Sequence, residues 1–203
     1  TGSDIDGDAL TFSLDTDASS GSVTLEGSLA TYVPSADFNG SDSFSFAVSD
    51  GEYSSIADVS LTITAVNDAP ILIAVSDVSF DEDSSGSISL SGSDVDGDEL
   101  TFSITSGTDI TATLIDTDVT FSAPTDFNGS EEFTISVTDG NLTDTQTISV
   151  TVNAVNDAPV ADVTSAETNE DQSVVISLTG SDIDGDALTF SLDTDASSGS
   201  VTL

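Results

Sequence analysis

Basic side chains are missing from this sequence altogether. Its 203 residues contain no Lys, Arg or His against 38 Asp and Glu, which gives a formal net charge of −38 at pH 7. The absence of these bases excludes Ser–His and Cys–His nucleophile pairs and Schiff-base lysines. It also excludes the phosphate contacts on which nucleic acid binding depends, and the acidity of the chain opposes contact with anionic membrane surfaces. We therefore expect no enzyme, no nucleic acid partner and no insertion into a membrane.

Cysteine, methionine and tryptophan are absent as well. Without cysteine no disulfide can stiffen the fold, and no apolar run approaches the roughly 20 residues of a membrane-spanning helix. Because the sequence has neither an initiator Met nor a signal peptide, we expect a fragment of a longer protein or a processed product. Clustered carboxylates without an internal cation repel one another and oppose the compact state. The sequence therefore predicts a metal cation supplied from outside the chain.

Internal repetition organises the chain. Residues 1–25 are identical to residues 179–203, at an offset of 178. The motifs DFNGS and AVNDAP each recur at an offset of 89, so two repeat types alternate in the order A, B, A. Division at the NDAP motifs predicts three domains: residues 1–66, a repeat that lacks its first strands; residues 67–155, a complete repeat; and residues 156–203, the N-terminal part of a third repeat of the first type.

Apolar residues within a repeat follow the period of two that is typical of half-buried strands. The segment DSFSFAVSD, for example, places Phe44, Phe46 and Val48 on one face. The complete repeat predicts seven strands, near residues 71–80, 87–92, 99–105, 112–115, 119–123, 132–139 and 145–154, and no helix. The predicted fold class is all-β: tandem seven-stranded antiparallel Ig-like sandwiches, arranged end to end as a rod because Pro70 and Pro159 extend the linkers.

An acidic turn, DxDGD, recurs once in each repeat. In the complete repeat it places Asp94, Asp96 and Asp98 on a tight turn in which Gly97 permits an unusual φ. Clustered hard oxygens suit Ca²⁺, which takes six to eight oxygen ligands in flexible geometry. The loop lacks the Gly and Glu spacing of an EF-hand. An ordinary solvated Asp-Gly turn is the alternative, but recurrence at one place and the absence of any neutralising base favour calcium.

The order AVNDAP, DxDGD, DFNG and then VSDG or VTDG resembles the cadherin-like repeat found in tandem in very large bacterial surface proteins and adhesins. The resemblance implies calcium at each linker, bound by the Asn-Asp pair and by acids of both flanking repeats. At the first linker the implied ligands are Asp37, Asn67, Asp68, Asp94, Asp96 and Asp139, with Asp98 as a further candidate. At the second linker they are Glu82, Asp126, Asn156, Asp157, Asp182 and Asp184. The resemblance also implies that Asp4, Asp6 and Asp50 are ligands of a further junction, whose other half we expect outside the sequence.

Taken alone, the DFNG and SDG motifs are equally consistent with structural turns. Phe38 and Phe127 within the DFNG motifs are expected to fill the core rather than to bind a ligand. The resemblance also departs in detail, since Asn39 and Asn128 stand where cadherins have a second acid of the preceding domain.

Two classes of function fit these features. The first is a calcium-rigidified spacer of a very large extracellular adhesin or surface filament, whose partners are neighbouring repeats and, laterally or head to tail, further copies. The second is a calcium-dependent module that binds carbohydrate or a like partner, or a fibre subunit assembled by strand complementation. The chain has no Trp and only Tyr32 and Tyr53, without counterparts in the second repeat, which favours the spacer. A carboxylate pair could hydrolyse glycosides, but no unique, unrepeated pair is present.

Overall fold

The computed structural model describes residues 2–203, and within this range the chain contains strands, turns and loops but no helix. The predicted all-β class and Ig-like fold are confirmed. None of these residues forms a helix long and apolar enough to cross a bilayer. The chain divides into two compact units. Unit 1 comprises residues 1–71, 92–101 and 137–144, and unit 2 comprises residues 72–91, 102–136 and 145–203.

Unit 1 contains the first repeat, the first NDAP linker and the middle DxDGD turn. The strands of the first repeat are β1 (Thr11–Thr16), β2 (Gly21–Glu26), β3 (Leu29–Pro34), β4 (Gly40–Ser49) and β5 (Ser54–Ile63). One sheet has the order β1, β4, β5, and β2 pairs with β3 in a second sheet. All three pairings are antiparallel. Phe44 is 6% exposed, and its neighbour on the same face, Phe46, contacts Phe12 with ring centroids 6.4 Å apart.

The second repeat contributes most of its core to unit 2. Its strands are β6 (Ile71–Leu72), β7 (Val78–Asp81), β8 (Ser85–Ser89), β9 (Gly92–Ser93), β10 (Thr101–Ile104), β11 (Thr111–Ile115), β12 (Asp118–Ser122), β13 (Gly129–Thr138) and β14 (Thr143–Asn153). The sheet orders are β10, β13, β14, β7 in one sheet and β11, β12, β8 in the other, and β6 pairs with β9. Strand β7 runs parallel to β14, with Val78 opposite Val150, which the antiparallel prediction did not include.

The second repeat therefore has nine strands where seven were predicted, because the strands expected near residues 71–80 and 87–92 are each divided in two. In the segment from β6 to β7, backbone amides bond to side chains instead of to a neighbouring strand. The Val75 amide donates to Oε1 of Gln146 at 2.7 Å, and the Ser149 amide donates to Oδ1 of Asp77 at 2.8 Å. These bonds satisfy backbone groups while the chain passes from one sheet to the other.

The core of unit 2 follows the predicted alternation. Phe133 and Ile135 of β13 and Val150 of β14 are all 0% exposed. The Phe133 ring packs edge to face against Phe121 of β12, with ring centroids 5.3 Å apart and an interplanar angle of 66°. Such a pair adds to the free energy gained from burying its apolar area.

The third repeat contains two short strands among residues 156–203: β15 (Val160–Ala161) and β16 (Gly180–Ser181), which pair antiparallel. Most other residues of this segment are exposed. Val163 and Val175 are 102% and 97% exposed, so apolar side chains that suit a core lie in solvent.

Candidate metal sites at the NDAP linkers

Five carboxylates converge on the second linker, within unit 2. Oxygens of Glu82, Asp157 and Asp184 lie within 4.8 Å of one another, and so do oxygens of Asp83, Asp126 and Asp157. Asp157 is common to both groups. Glu82 and Asp83 follow β7, Asp126 lies in the turn before β13, and Asp184 lies in the DxDGD turn after β16. Elements far apart in the sequence therefore bring their acids to one linker residue.

Backbone hydrogen bonds fix several of these carboxylates. The Asp157 amide donates to Oδ2 of Asp184 at 2.7 Å. Glu82 is only 6% exposed, its amide donates to the Asn153 carbonyl at 2.9 Å, and its Oε1 accepts from the Val155 amide. The Glu82 carboxylate is thus held by the end of β14, directly before the linker.

Asp83 and Asp126 both adopt left-handed backbone conformations, with φ values of 60° and 58°. Residues other than Gly rarely adopt this backbone region, although Asp tolerates it better than most. The Asp126 amide donates to Oδ1 of Asp83 at 3.3 Å, which links the two turns. Asp37, the counterpart of Asp126 in the first repeat, has the same φ of 58°. The conformation is therefore a property of the DFNG motif in both repeats.

The charges at the second linker repel one another. Partial burial raises the pKa of Asp157, and the neighbouring carboxylates of Asp126, Asp184, Asp83 and Glu82 raise it further. Each of these effects disfavours the ionised form. The sequence contains no Lys, Arg or His to oppose the repulsion, so a cation would relieve it most directly.

The first linker, within unit 1, repeats part of this arrangement. The Asp68 amide donates to Oδ2 of Asp96 at 2.8 Å, as Asp157 does to Asp184. Asp37, Asp68 and Asp94 line one cleft, and their counterparts Asp126, Asp157 and Asp182 line an equivalent cleft at the second linker. Asn156 donates from Nδ2 to the Asp157 carbonyl at 2.9 Å, and Asn67 makes the same contact with Asp68.

Asn67 also donates from Nδ2 to Oδ2 of Asp139 at 2.8 Å. This bond lowers the pKa of Asp139, and the amides of Leu142 and Asn141, both 2.6 Å from Oδ1, lower it further. Both oxygens of Asp139 therefore already accept hydrogen bonds, so its position joins the linker to the turn before β14.

The surroundings of the Asp94 carboxylate show whether the oxygen atoms at the first linker suit a cation. Its Oδ1 accepts the amides of Asp96, Gly97 and Asp98 at 2.9, 3.1 and 3.3 Å, and Gly97 has the unusual φ predicted for it, 81°. Its Oδ2 is buried, and no hydrogen-bond donor contacts it among the described residues. A buried carboxylate oxygen without a partner is costly, and a bound cation would satisfy it. The residues present therefore fit Ca²⁺.

Other predicted ligands are not brought together in this way. Within residues 2–203, the groups of three acids at metal-binding distances include none of the other predicted acidic ligands, neither those of the first linker nor Asp182 of the second: Asp4, Asp6, Asp37, Asp50, Asp68, Asp94, Asp96, Asp98, Asp139 and Asp182. Asp4 accepts the Asp6 amide at 2.8 Å, in the turn seen at Asp94. Asp182 similarly accepts the Asp186 amide at 3.1 Å.

Asp50 closes a turn. Its Oδ1 accepts the amides of Tyr53 and Glu52 at 2.7 Å each, and these bonds lower the pKa of Asp50.

Asp83 was not predicted from the sequence, although it directly follows the predicted ligand Glu82. The run FDED offers two acids after Asp81, and both of them reach the linker. Phe38 and Phe127 are half-buried, as residues packed at the edge of a core would be.

Two further carboxylates, Asp42 and Glu131, hold equivalent loops at an offset of 89. Asp42 is 7% exposed and accepts the amides of Ser19, Ser20 and Ser43 at 3.1, 3.0 and 2.9 Å. Burial alone would raise the pKa of Asp42, but these hydrogen bonds outweigh it and the pKa is lowered.

Glu131 accepts the amides of Asp109, Thr108 and Ile110 at 2.8, 3.0 and 3.4 Å. The bond from Asp109 contributes most to lowering the pKa of Glu131. Both acids are therefore already satisfied by loop amides, and they serve the fold rather than a cation.

Comparison with known proteins gives matches along the whole chain. A family model described as bacterial Ig domain matches residues 1–64, 67–151 and 156–203. Human protocadherin-24 EC1-2 is 26% identical, covering 58% of this chain and 61% of that chain, with a TM-score of 0.40. Drosophila N-cadherin EC1-4 is 13% identical, covering 89% and 52%, with a TM-score of 0.46.

An endo-fucoidan hydrolase from glycoside hydrolase family 107 is 24% identical over 74% of this chain, with a TM-score of 0.33. This chain spans only 24% of the length of that enzyme. No curated protein matches the sequence significantly.

Proposed function

The chain belongs to the bacterial Ig domain family, and we propose that it is a calcium-rigidified spacer of a very large extracellular adhesin or surface filament. The family supports a structural or adhesion repeat. The main observation that supports calcium binding is the cluster of five acids at the second linker: Glu82, Asp83, Asp126, Asp157 and Asp184. The proposed domains are residues 1–66, 67–155 and 156–203, with a cation site at each linker.

The chemistry of the donors supports calcium over other metals. Every candidate side chain offers oxygen, and the chain has no Cys or His for a softer metal. Calcium accepts many carboxylate and carbonyl oxygens in irregular geometry, whereas Mg²⁺ demands a near-octahedral set. The buried Oδ2 of Asp94 supports a cation at the first linker independently of the second.

Ligand placement explains how binding would stiffen the chain. At the second linker Glu82 and Asp126 come from the repeat before the linker, Asp157 from the linker itself and Asp184 from the repeat after it. In the absence of a cation their repulsion favours a loose linker. Bound calcium would neutralise these charges and join the three parts of the chain. A repeated module with few exposed aromatic side chains suits a spacer, which needs length and stiffness more than a unique binding surface.

A calcium titration of the 203-residue chain tests this proposal. We expect binding with dissociation constants of about 10⁻⁴ to 10⁻³ M, the range of extracellular calcium modules, measured by calorimetry after removal of calcium with EGTA. Small-angle X-ray scattering over the same titration is expected to show a longer and less flexible particle. Asp157→Asn should weaken binding, whereas Asp58→Asn, an exposed acid on β5 outside both linkers, should not. Binding unaffected by Asp157→Asn would refute the linker site.

A further inference from the structure

Asn39 of the first DFNG motif lies beside the acids of the first linker. Within unit 1 it lines a cleft together with Asp37, Asp68 and Asp96. Asp37 and Asp68 also line the neighbouring cleft that contains Asp94. A change in the charge of residue 39 would therefore act directly on the acids to which we assign calcium binding at this linker.

The residue that follows Asn39 has a conformation that favours glycine. Gly40, the first residue of β4, has a φ of 127°, a backbone region that residues with a Cβ rarely adopt. A Cβ added to Gly40 would have only the Phe38 ring within 4 Å, at 3.8 Å, so the space around it is open. Asn39 and Gly40 are both exposed. The turn therefore places an Asn-Gly pair in contact with water, and no side chain of residue 40 shields its amide nitrogen.

No hydrogen bond restrains the side chain of Asn39 among the described residues. Other asparagines differ in this respect. The Nδ2 atoms of Asn67, Asn153 and Asn156 donate hydrogen bonds at 2.9, 3.1 and 2.9 Å, respectively. The Asn39 side chain can therefore turn towards the backbone of Gly40 without losing a hydrogen bond.

Asparagine is a thermolabile residue, and an unshielded neighbouring amide gives it an intramolecular reaction. The Gly40 amide nitrogen attacks Cγ of Asn39, so that an N–C bond closes a succinimide ring while the Cγ–Nδ2 bond breaks. Nδ2 leaves as ammonia and takes up the proton of the Gly40 amide. Water, the co-reactant, then opens the ring at either carbonyl and gives Asp or isoaspartate. No oxidant or reductant is needed.

We propose that Asn39 is a site of spontaneous deamidation, and that the carboxylate formed there becomes a further ligand of the cation at the first linker. The second part rests on the proposed calcium binding. The Asp product keeps the backbone of the DFNG turn and adds a carboxylate to the cleft. The isoaspartate product instead inserts a methylene group into the backbone directly before β4.

The new carboxylate acts with opposite sign in the presence and in the absence of calcium. Without a cation, it adds repulsion to that among Asp37, Asp68 and Asp96. With calcium, it increases the number of charged ligands, on which calcium affinity depends. The stiffness of the first linker therefore becomes more dependent on calcium as the protein ages.

Ageing of the 203-residue chain in a mildly alkaline, calcium-free buffer tests the modification. Peptides are mapped at intervals with a protease specific for acidic residues, since the chain has no trypsin site. Asn128→Gln removes the other Asn-Gly pair. We expect Asn39 to convert to Asp and isoaspartate, whereas Asn141, exposed but followed by Leu142, should remain an amide. An Asn39 side chain that stays an amide for as long as Asn141 would overturn the inference.

Asn39→Asp tests the consequence for calcium, because every molecule of this variant carries the Asp product. Calorimetry in an Asp157→Asn background, which weakens the second linker, measures the first linker. We expect Asn39→Asp to bind calcium about tenfold more tightly than the chain with Asn39. Thr24→Asp, which adds the same charge at an exposed position of β2, is the control and should leave the affinity unchanged. Equal affinities for the two variants would refute the ligand role of residue 39.

This inference and the proposed function fail differently. Calcium binding that Asp157→Asn weakens, in a chain whose Asn39 does not react, would leave the spacer function standing and refute the deamidation. A chain that deamidates at Asn39 but binds no calcium would support the modification and refute both its role as a ligand and the calcium-rigidified spacer.

Discussion

The backbone amide of Asp157 donates a 2.7 Å hydrogen bond to Oδ2 of Asp184. The bond ties the linker to the DxDGD turn of the following repeat, and Asp68 and Asp96 repeat it at 2.8 Å. One aspartate of each turn therefore has two roles, since it accepts a linker amide and also contributes negative charge next to the other acids. The two roles can be separated by substitution.

Asp184→Asn should weaken calcium binding while keeping the linker bond, because the amide oxygen of Asn still accepts the Asp157 amide. We expect a loss of affinity on the order of tenfold, since calcium affinity depends on the number of charged ligands. Calorimetry on the natural chain and the variant measures the change. Asp184→Ala, which also removes the acceptor, should bind calcium still more weakly and should give a more flexible particle in scattering. Equal affinities for Asn and Ala variants would show that the linker bond has no part in the site.

Asp94→Asn separates the turn from the cation site at the first linker. The Asn oxygen can still accept the amides of Asp96, Gly97 and Asp98, whereas the buried, unpartnered Oδ2 loses its charge. We expect thermal stability in EGTA to be unchanged or higher, and the stabilisation produced by calcium to be reduced. Asp98→Asn is the matched control, because it removes one charge from the same turn and leaves the buried, unpartnered Oδ2 of Asp94 in place. An equal effect of both substitutions in a calcium titration would contradict the role assigned to Asp94.

Short-range patterns predicted much of this fold. The alternation around Phe133 and Ile135 predicted strand β13 and its buried face, and the Asp-Gly turn at Gly97 has the positive φ expected of it. Features that depend on contacts between residues far apart in the sequence were not predicted. The division of the first strand depends on Gln146 and Ser149, which lie more than 70 residues from their partners Val75 and Asp77.

The contrast between local patterns and long-range contacts also explains which acids were predicted and which were not. The linker acids stand in recurring motifs, so recurrence along the chain is enough to mark them as candidate ligands. Glu131 looks like an ordinary surface acid of a strand, and its partners are three loop amides that lie 21 to 23 residues before it. Asp83 has no distinguishing local signal beside Glu82, and only the fold brings it near Asp126.

Acid should destabilise the loops held by Asp42 and Glu131. Hydrogen bonds from loop amides lower the pKa of both groups in the folded state. A carboxyl whose folded pKa lies below its unfolded value contributes stability that is present above about pH 4, the unfolded pKa, and is lost as the pH falls through the folded pKa. In calcium-free buffer we therefore expect the contribution of these two carboxyls to thermal stability to decrease as the pH falls from about 4 towards 2.

Glu131→Gln isolates this contribution, since Gln keeps an acceptor oxygen but carries no charge. Loss of the charge on the acceptor should lower the unfolding free energy at pH 7 by about 1 kcal/mol, which corresponds to a decrease of roughly 4–8 °C in Tm for a domain of this size. The difference between the natural chain and the variant should become smaller below pH 4. Glu132→Gln, at the adjacent exposed position, is the control for a general charge effect. A difference that stays constant with pH would contradict the assignment.

Phe133→Ala and Phe44→Ala, at equivalent positions, should differ in cost. Phe133 is 0% exposed, is covered by its sheet partners and packs on Phe121, so we expect a loss of about 3–5 kcal/mol. Phe44 lines an apolar groove of the first repeat together with Tyr32 and Leu61, which are only half-buried, so the site can relax towards solvent and the replacement should cost less. Denaturant unfolding followed by far-ultraviolet circular dichroism, with the two repeats resolved as separate transitions, measures both. Equal costs would mean that the two cores are covered alike.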